Sequence, residues 1–366
     1  METGIIWDNQ QFFGYFAWPT VARLPGGELV VVASGFRIRH VCPFGKITAF
    51  YSQDEGKTWS APAVLYSSPL DCRDAGIAVS GNKVVITTFT AGKDTQREYM
   101  EKWYRLPELT KENEMIEAYL ATIAEQTERK ELGAFFIDGD AKRYGKATVT
   151  PFNVNAPHGP FVKKDGGFLY VGRSFSFGKN QKEPIYVLSA EDGVRWKKIG
   201  EIEYPDIGLE FCECHGVETD DGTILVHMRV CGVSEAGEEV LSIWQCESYD
   251  GGKTFSAPHE VISDGAPPHL LRHSSGALIC SYANRKIPGG GARARVSYDG
   301  GKTWANRIVL KNDANGGDVG YSSSVELKDG SILTVFYHTD RLKQDKTALH
   351  YVVWKLEEAI AQDRRN

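Results

Sequence analysis

Side chains able to act as nucleophile, base and anion clamp are all present in this chain, yet no short motif joins them. Tyr321 lies in Gly320-Tyr321-Ser322-Ser323, and Glu213 lies 108 residues earlier in Glu213-Cys214-His215-Gly216-Val217-Glu218. A phenol, with a reference pKa of about 10, becomes a useful nucleophile only where a neighbouring carboxylate accepts its proton. Such a pair works only if the fold brings its members together. The seven cysteines are an odd number without a C-x-x-C pair, with Cys212 and Cys214 alternating along one strand, and they read mainly as buried thiols. No metal-ligand set and no cofactor motif stands out, so neither a metal nor a cofactor is expected.

The elements that must position these groups are written as a repeat. Ser52-Gln53-Asp54-Glu55-Gly56-Lys57-Thr58-Trp59 returns as Ser248-Tyr249-Asp250-Gly251-Gly252-Lys253-Thr254-Phe255 and as Ser297-Tyr298-Asp299-Gly300-Gly301-Lys302-Thr303-Trp304. Asp caps nearby backbone N–H groups, Gly permits positive φ, and the trailing aromatic anchors the turn on its sheet. A fourth copy, Ser189 to Trp196, has Glu191 in place of the Asp and Arg195 in place of the Thr; a weaker fifth surrounds Asp138-Gly139-Asp140, with Phe136 in place of the Ser. From Ser52 through Phe136, Ser189, Ser248 and Ser297 the spacings are 84, 53, 59 and 49 residues. Such spacings suit one four-stranded propeller blade per repeat, the longest holding a blade plus an insertion.

A second repeat agrees with this register. Thr20 to Val32, Gly216 to Val226 and Ser324 to Val335 each read as apolar strand, Gly turn, apolar strand, the inner hairpin of a blade, and further copies begin near Ile77, Pro160 and His269. The expected fold is all-β: one six-bladed β-propeller over residues 1–366, with a partly helical insertion at 93–133 in blade two. Ala348 to Trp354 and Gly4 to Trp7 are expected to complete blade six, removing the sheet edges that an open stack would leave. Met115, Ile116, Tyr119, Leu120 and Ile123 recur at helical spacing and predict one amphipathic helix, either covering the side of blade two or forming a rim beside the pocket.

Composition narrows the partners. Forty-two basic against 48 acidic residues leave a net charge of −6, which gives nucleic acid no footing. No run is long and apolar enough for a signal peptide or a membrane span, which favours a cytoplasmic location without a membrane partner. A homo-oligomer is left open.

These turns and hairpins resemble the sialidase (neuraminidase) superfamily, six-bladed propellers that carry Asp-box turns, over nearly the whole chain apart from the insertion. Asp boxes lie outside the active centre of that family, so function rests on two other stretches. Glu213 to Glu218 followed by Met228-Arg229 resembles the family's catalytic Glu and the carboxylate-binding Arg on the next strand. Gly320-Tyr321-Ser322-Ser323 resembles the segment bearing its nucleophilic Tyr. The resemblance implies Tyr321 as nucleophile, Glu213 as its base and Arg229 as carboxylate ligand. A Tyr–Glu pair suits an anionic sugar, which a bare carboxylate nucleophile would repel.

Other positions depart from the family pattern. Its first arginine stands in an Arg-Ile-Pro motif, where this chain has Phe16-Ala17-Trp18-Pro19-Thr20. Arg285, Arg293 or Arg39 is expected to complete the clamp, with Arg37 and Arg73 as further substrate-binding candidates. The family's blade-one Asp, the acid/base, is replaced by the stretch Arg37 to Gly45, which leaves His40 or Asp74 to protonate the leaving oxygen. His158, His215 and His269 are expected to contact sugar from the inner ends of blades three to five, and Trp18 to stack on a sugar face. The implied activity is an exo-acting, sialidase-like glycoside hydrolase that releases a terminal acidic sugar from a glycan or oligosaccharide with retention. The alternatives are an exo-glycosidase for another sugar, such as a uronic acid or a deoxy sugar, and a non-catalytic carbohydrate-binding propeller.

Overall fold

The computed structural model describes residues 1–125, 133–138, 141–142, 146–149, 153–174, 182–339 and 346–357. Six antiparallel sheets follow one another along the chain. Blade one is built from Tyr15–Arg23, Leu29–Arg37, Lys46–Ser52 and Ala63–Tyr66, and blade two from Asp71–Ser80, Lys83–Ala91, Gly133–Asp138 and Lys146–Val149. In blade three the short pieces Val154–Asn155 and Phe161–Val162 both pair with Phe168–Ser174, which is followed by Ile185–Ala190 and Lys197–Ile202. Blade four runs Glu210–Glu218, Ile224–Val233, Glu239–Ser248 and His259–Ile262; blade five runs His269–Arg272, Leu278–Asn284, Gly291–Ser297 and Ala305–Val309. Blade six takes Gly320–Glu326, Ile332–Thr339 and Thr347–Trp354, then borrows Glu2–Trp7 as its outer strand, Gly4 pairing with Tyr351. The architecture is a six-bladed β-propeller closed by its own N-terminal strand.

The second strand of each blade is apolar on both faces because each sheet is stacked between two others. Val30, Val32 and Ile47 of blade one pack with Ile77, Val84 and Ile86 of blade two, while Val31, Ala33 and Phe50 pack with Leu333, Val335 and Tyr337 of blade six. The repeated turn closes the third strand onto the fourth. Ser52 Oγ donates to Asp54 Oδ1 at 2.8 Å and accepts from Gly56 N at 2.8 Å, while Thr58 N reaches Asp54 Oδ1 at 2.9 Å. The copies at Asp250 and Asp299 repeat this network. In the fourth copy the carboxylate is not lost but moved: Asp192, one position later, caps Val194 N and Arg195 N at 3.0 and 2.8 Å. The weak fifth copy falls at Gly139 and Asp140 outside the described residues.

The insertion holds two α-helices where one was expected, α1 (Lys93–Trp103) and α2 (Thr110–Thr122), with a 3-10 turn at Pro107–Leu109 between them. Leu106, held extended before Pro107, starts that turn. Ile116, Leu120 and Ile123 of the expected stripe are buried with Leu70, whereas Met115 faces solvent. Helix α1 has no apolar stripe to betray it; its one buried residue is Gln96, whose Nε2 donates to Asp71 Oδ2 at 3.0 Å. Among the described residues no helix is long and apolar enough to cross a membrane.

Candidate active site

Four non-glycine residues on the first strands of their blades have left-handed backbone: Trp18 (φ 55°), Asp74 (φ 49°), Glu213 (φ 48°) and Tyr321 (φ 52°). Each sits where the ladder to the second strand breaks register, between Ala17 and Thr20, Arg73 and Gly76, Cys212 and His215, and Gly320 and Ser323. Such a bulge re-aims a side chain at the cost of about 1–3 kcal/mol of backbone strain, which persists only where the surroundings impose it. Three of the four, Asp74, Glu213 and Tyr321, line one cavity of about 340 Å3.

Glu213 is the hub of that cavity. Its Oε1 accepts from Tyr321 Oη at 2.5 Å and its Oε2 from Arg229 Nη1 at 2.8 Å. Burial works against the carboxylate's charge, but Arg229, the Tyr321 hydroxyl and Arg285 outweigh it and hold Glu213 below the usual carboxylate range. Burial raises Tyr321 well above the ordinary phenol value, and the Glu213 charge adds to that. The proton therefore rests on Tyr321 and is aimed at Glu213, the ground state of a nucleophile activated by its base at the moment of attack. The Arg285 guanidinium lies 5.5 Å from the centre of the Tyr321 ring, with buried Nε and Nη2 that have no hydrogen-bond partner among the described residues.

A second carboxyl differs sharply from the first. Asp74 is pushed up to about 6, chiefly by burial and also by the Glu213 charge, against the pull of Arg73. Asn155 Nδ2 holds its Oδ2 at 3.0 Å. Two carboxyls in one cavity with pKa values driven apart are the pattern of a base and an acid. His40 also lines the cavity, and its Nδ1 is anchored on Asp318 at 3.1 Å. Asp318 further accepts from Tyr15 Oη at 2.7 Å and Tyr337 Oη at 2.8 Å; His40, protonated at the acid pH where this carboxyl would titrate, and then these hydroxyls overcome its burial and hold it well below the usual range. Burial lowers the His40 imidazole despite Asp318, so it is neutral at neutral pH.

The fold brings Glu213, Tyr321, Asp74, His40, Arg73, Arg229 and Arg285 to the cavity and leaves the other candidates elsewhere. Arg37 is fully buried and spent on Asp71, with Nη1–Oδ1 at 2.5 Å and Nη2–Oδ2 at 2.9 Å. Arg39 stacks 3.9 Å over the Tyr104 ring and donates to Asn113 Oδ1 at 2.8 Å, holding the insertion rather than a ligand. Arg293 turns to the carbonyls of Ala292, Lys311 and Gly289. Trp18 is 1% exposed and cannot offer a face to a sugar; Arg37 and Arg73 lie against its ring at 4.8 and 4.3 Å. His158, His215 and His269 do not contact the cavity but cluster in the core, with ring centres 4.4 to 5.9 Å apart. Burial takes all three well below the ordinary imidazole value. Of the cysteines, six are buried as expected, while Cys231 is half-buried and lines the cavity with Cys212.

Several lining residues escaped the sequence reading: Arg173, Asn155, Glu210, and Thr95 and Tyr99 of α1. Asp318 escaped it too, although it stands two residues before Gly320. Thr95 and Tyr99 of the unexpected α1 supply part of the cavity wall, whereas the expected helix, α2, has no residue in that wall and packs over Leu70 as a cover.

Comparison with known proteins agrees with this architecture. The BNR/Asp-box repeat model matches residues 50–61, the first of the turns. No curated protein sequence matches the chain. A protein of unknown function from Dyadobacter fermentans is similar over 96% of this chain and 97% of its own, with 21% identity and a TM-score of 0.76. The NanB sialidase of Streptococcus pneumoniae is similar over 97% of this chain and 71% of its own, with 14% identity and a TM-score of 0.68. This chain has the sialidase fold. The same fold carries a Penicillium chrysogenum α-L-arabinanase complexed with arabinobiose, at 12% identity and a TM-score of 0.66, covering 98% of this chain and 99% of that one. At such identities the likeness is one of fold, and the chemistry has to be read from the cavity.

Proposed function

We propose that this protein is an exo-acting glycoside hydrolase that releases a terminal acidic sugar with retention of configuration. The observation that carries the reading is Glu213 bridging Tyr321 Oη at 2.5 Å and Arg229 at 2.8 Å inside the cavity. Tyr321 Oη attacks the anomeric carbon while Glu213 Oε1 takes its proton. The bond to the leaving oxygen breaks, and Asp74 gives that oxygen its proton. Water then attacks the glycosyl-tyrosine, with Asp74, now a carboxylate, receiving the water proton and Glu213 returning the first proton to Tyr321. Two displacements at one carbon restore its configuration. His40, fixed at Nδ1 by Asp318, offers Nε2 to a sugar hydroxyl.

An acidic sugar fits because four guanidinium groups, those of Arg73, Arg173, Arg229 and Arg285, line the cavity. Arg285 is the foremost ligand for the carboxylate, its buried Nε and Nη2 having no hydrogen-bond partner among the described residues, and Arg229 adds its charge beside it. A fluorinated acidic sugar should trap the covalent intermediate, and peptide mapping by mass spectrometry should place the label on Tyr321. A label on another residue, or no adduct with any sugar that the protein cleaves, overturns the mechanism. Trp18, at the position of the family's first clamp arginine, favours a second reading: an exo-glycosidase for a uronic acid or a deoxy sugar. A panel of aryl glycosides separates the two by which terminal sugar is released.

A further inference from the structure

Helix α1 meets the cavity along one face. Thr95 and Tyr99 line it, and Trp103 follows at the same spacing of four residues. Positions i, i+4 and i+8 lie one above another on a helix, about 6 Å per step. The stripe therefore runs outward: Thr95 in the wall, Tyr99 at 39% exposure, Trp103 at 59%. Tyr99 lines the same cavity as Arg73, whose chain neighbour is Asp74. A large aromatic held in solvent at the mouth of a polar cavity, with a second one turn beyond it, belongs to none of the buried apolar clusters among the described residues.

The helix is also held firmly. Gln96 is buried against Asp71, the carboxylate that pairs with Arg37, and Arg39 clamps Tyr104, just beyond the end of α1, and Asn113 of α2. Lys93 Nζ donates to Ile123 O at 3.1 Å, and Arg97 Nη2 reaches Glu117 Oε1 at 2.6 Å, so α1 and α2 brace each other. A platform already in place loses little entropy when a ligand settles on it.

We infer that α1 is a binding platform for the leaving group, Tyr99 taking the first sugar beyond the scissile bond and Trp103 the next, so that the substrate is the end of an oligosaccharide chain rather than a simple glycoside. This rests on the glycosidase reading for its direction: the acid protonates the leaving oxygen, so the chain leaves on the side of Asp74, the blade from which α1 emerges. Aromatic rings offer apolar faces to sugar rings, and their hydroxyl or N–H edges remain wet.

The test uses the full chain with di-, tri- and tetrasaccharides that end in the same sialic acid, compared by kcat/KM. The same ligands are titrated calorimetrically against a Tyr321→Phe variant, which reads the platform without turnover. Affinity and kcat/KM should rise with chain length in the parent. Tyr99→Ala should lower both by roughly three- to tenfold for every ligand, and Trp103→Ala should remove only the gain beyond the disaccharide. Tyr99→Phe should behave as the parent, since it keeps the ring. A length dependence that survives both alanine variants, or that is absent from the parent, overturns the platform while hydrolysis stands. Length-dependent binding that is lost in the variants, without hydrolysis of any ligand, upholds the platform and overturns the glycosidase reading instead.

Discussion

Replacing Asp74 with Asn should weaken catalysis and strengthen the fold within one pH window. The Asp74 carboxyl titrates at about 6 in the folded protein against 3.8 unfolded. Because the folded value is the higher, the native state keeps a proton between those values that the unfolded chain has already released. Stability therefore falls as pH rises from 3.8 to 6 and no longer changes on this account above it, a total of about 3 kcal/mol. Asn carries no charge to desolvate, and its side-chain oxygen can still accept from Asn155. The stability of Asp74→Asn relative to the parent should thus grow by about 2.4 kcal/mol of that total between pH 4 and pH 7, whatever the substitution costs in packing. Urea unfolding of both proteins across that range measures the difference, since groups remote from Asp74 cancel and Glu213, held below the usual carboxylate range, stays ionised in both folds. In the same variant kcat/KM should fall about 10²- to 10⁴-fold, most for poor leaving groups, and the alkaline limb near pH 6 should vanish. Parallel stability profiles would refute the assigned burial cost. An alkaline limb that persists in the variant would remove Asp74 from the role of acid.

Asp71→Ala strips the fully buried Arg37 of its carboxylate and α1 of its anchor at Gln96; a loss of about 3–5 kcal/mol in chemical denaturation is expected, and a loss below about 1 kcal/mol would contradict the pairing. The buried histidine cluster should make the protein acid-sensitive. Burial keeps His158, His215 and His269 neutral, so below about pH 6.5 the unfolded chain gains protons that the native state refuses, and stability falls as pH falls. Each histidine contributes a slope approaching about 1.4 kcal/mol per pH unit, so His269→Gln should flatten the measured stability profile below pH 6 by that amount; an unchanged slope would mean that His269 is already protonated in the fold.

The sequence by itself determined the architecture, because the information is local. An Asp two residues after a Ser and two before a Gly closes its own turn through hydrogen bonds within a few residues, and the spacing of such turns counts the blades. The Asp192 copy shows how local it is: the carboxylate shifts by one residue and the turn still forms. Alternating apolar strands around Gly turns likewise mark the inner hairpins, and the pairing of Glu2–Trp7 with the last strand follows from the need to close a sheet edge. Glu213 and Tyr321 were legible as candidates through the segments that carry them.

Which charges were free to meet a ligand was decided only by tertiary structure. Arg37, Arg39, Arg285 and Arg293 look alike in sequence, and their fates depend on which partners the fold sets around each. Asp71 lies 34 residues from Arg37 and neutralises it, Asn113 lies 74 residues from Arg39, and Arg293 finds the carbonyls of Ala292, Gly289 and Lys311, whereas the buried Nε and Nη2 of Arg285 have no hydrogen-bond partner among the described residues. The pKa separation of Glu213 and Asp74 arises in the same way, since both are buried carboxyls and differ in how much positive charge other strands bring to them. Helix α1 stayed hidden because a polar buried Gln and an exposed Tyr leave no apolar period in the sequence. Its place beside the cavity is set by contacts with distant residues, among them Gln96 with a carboxylate 25 residues away and Arg97 with Glu117 of α2. Turn chemistry acts over a few residues and can be read in order along the chain, whereas the balance of charge in a cavity is a sum over side chains that only folding brings within reach.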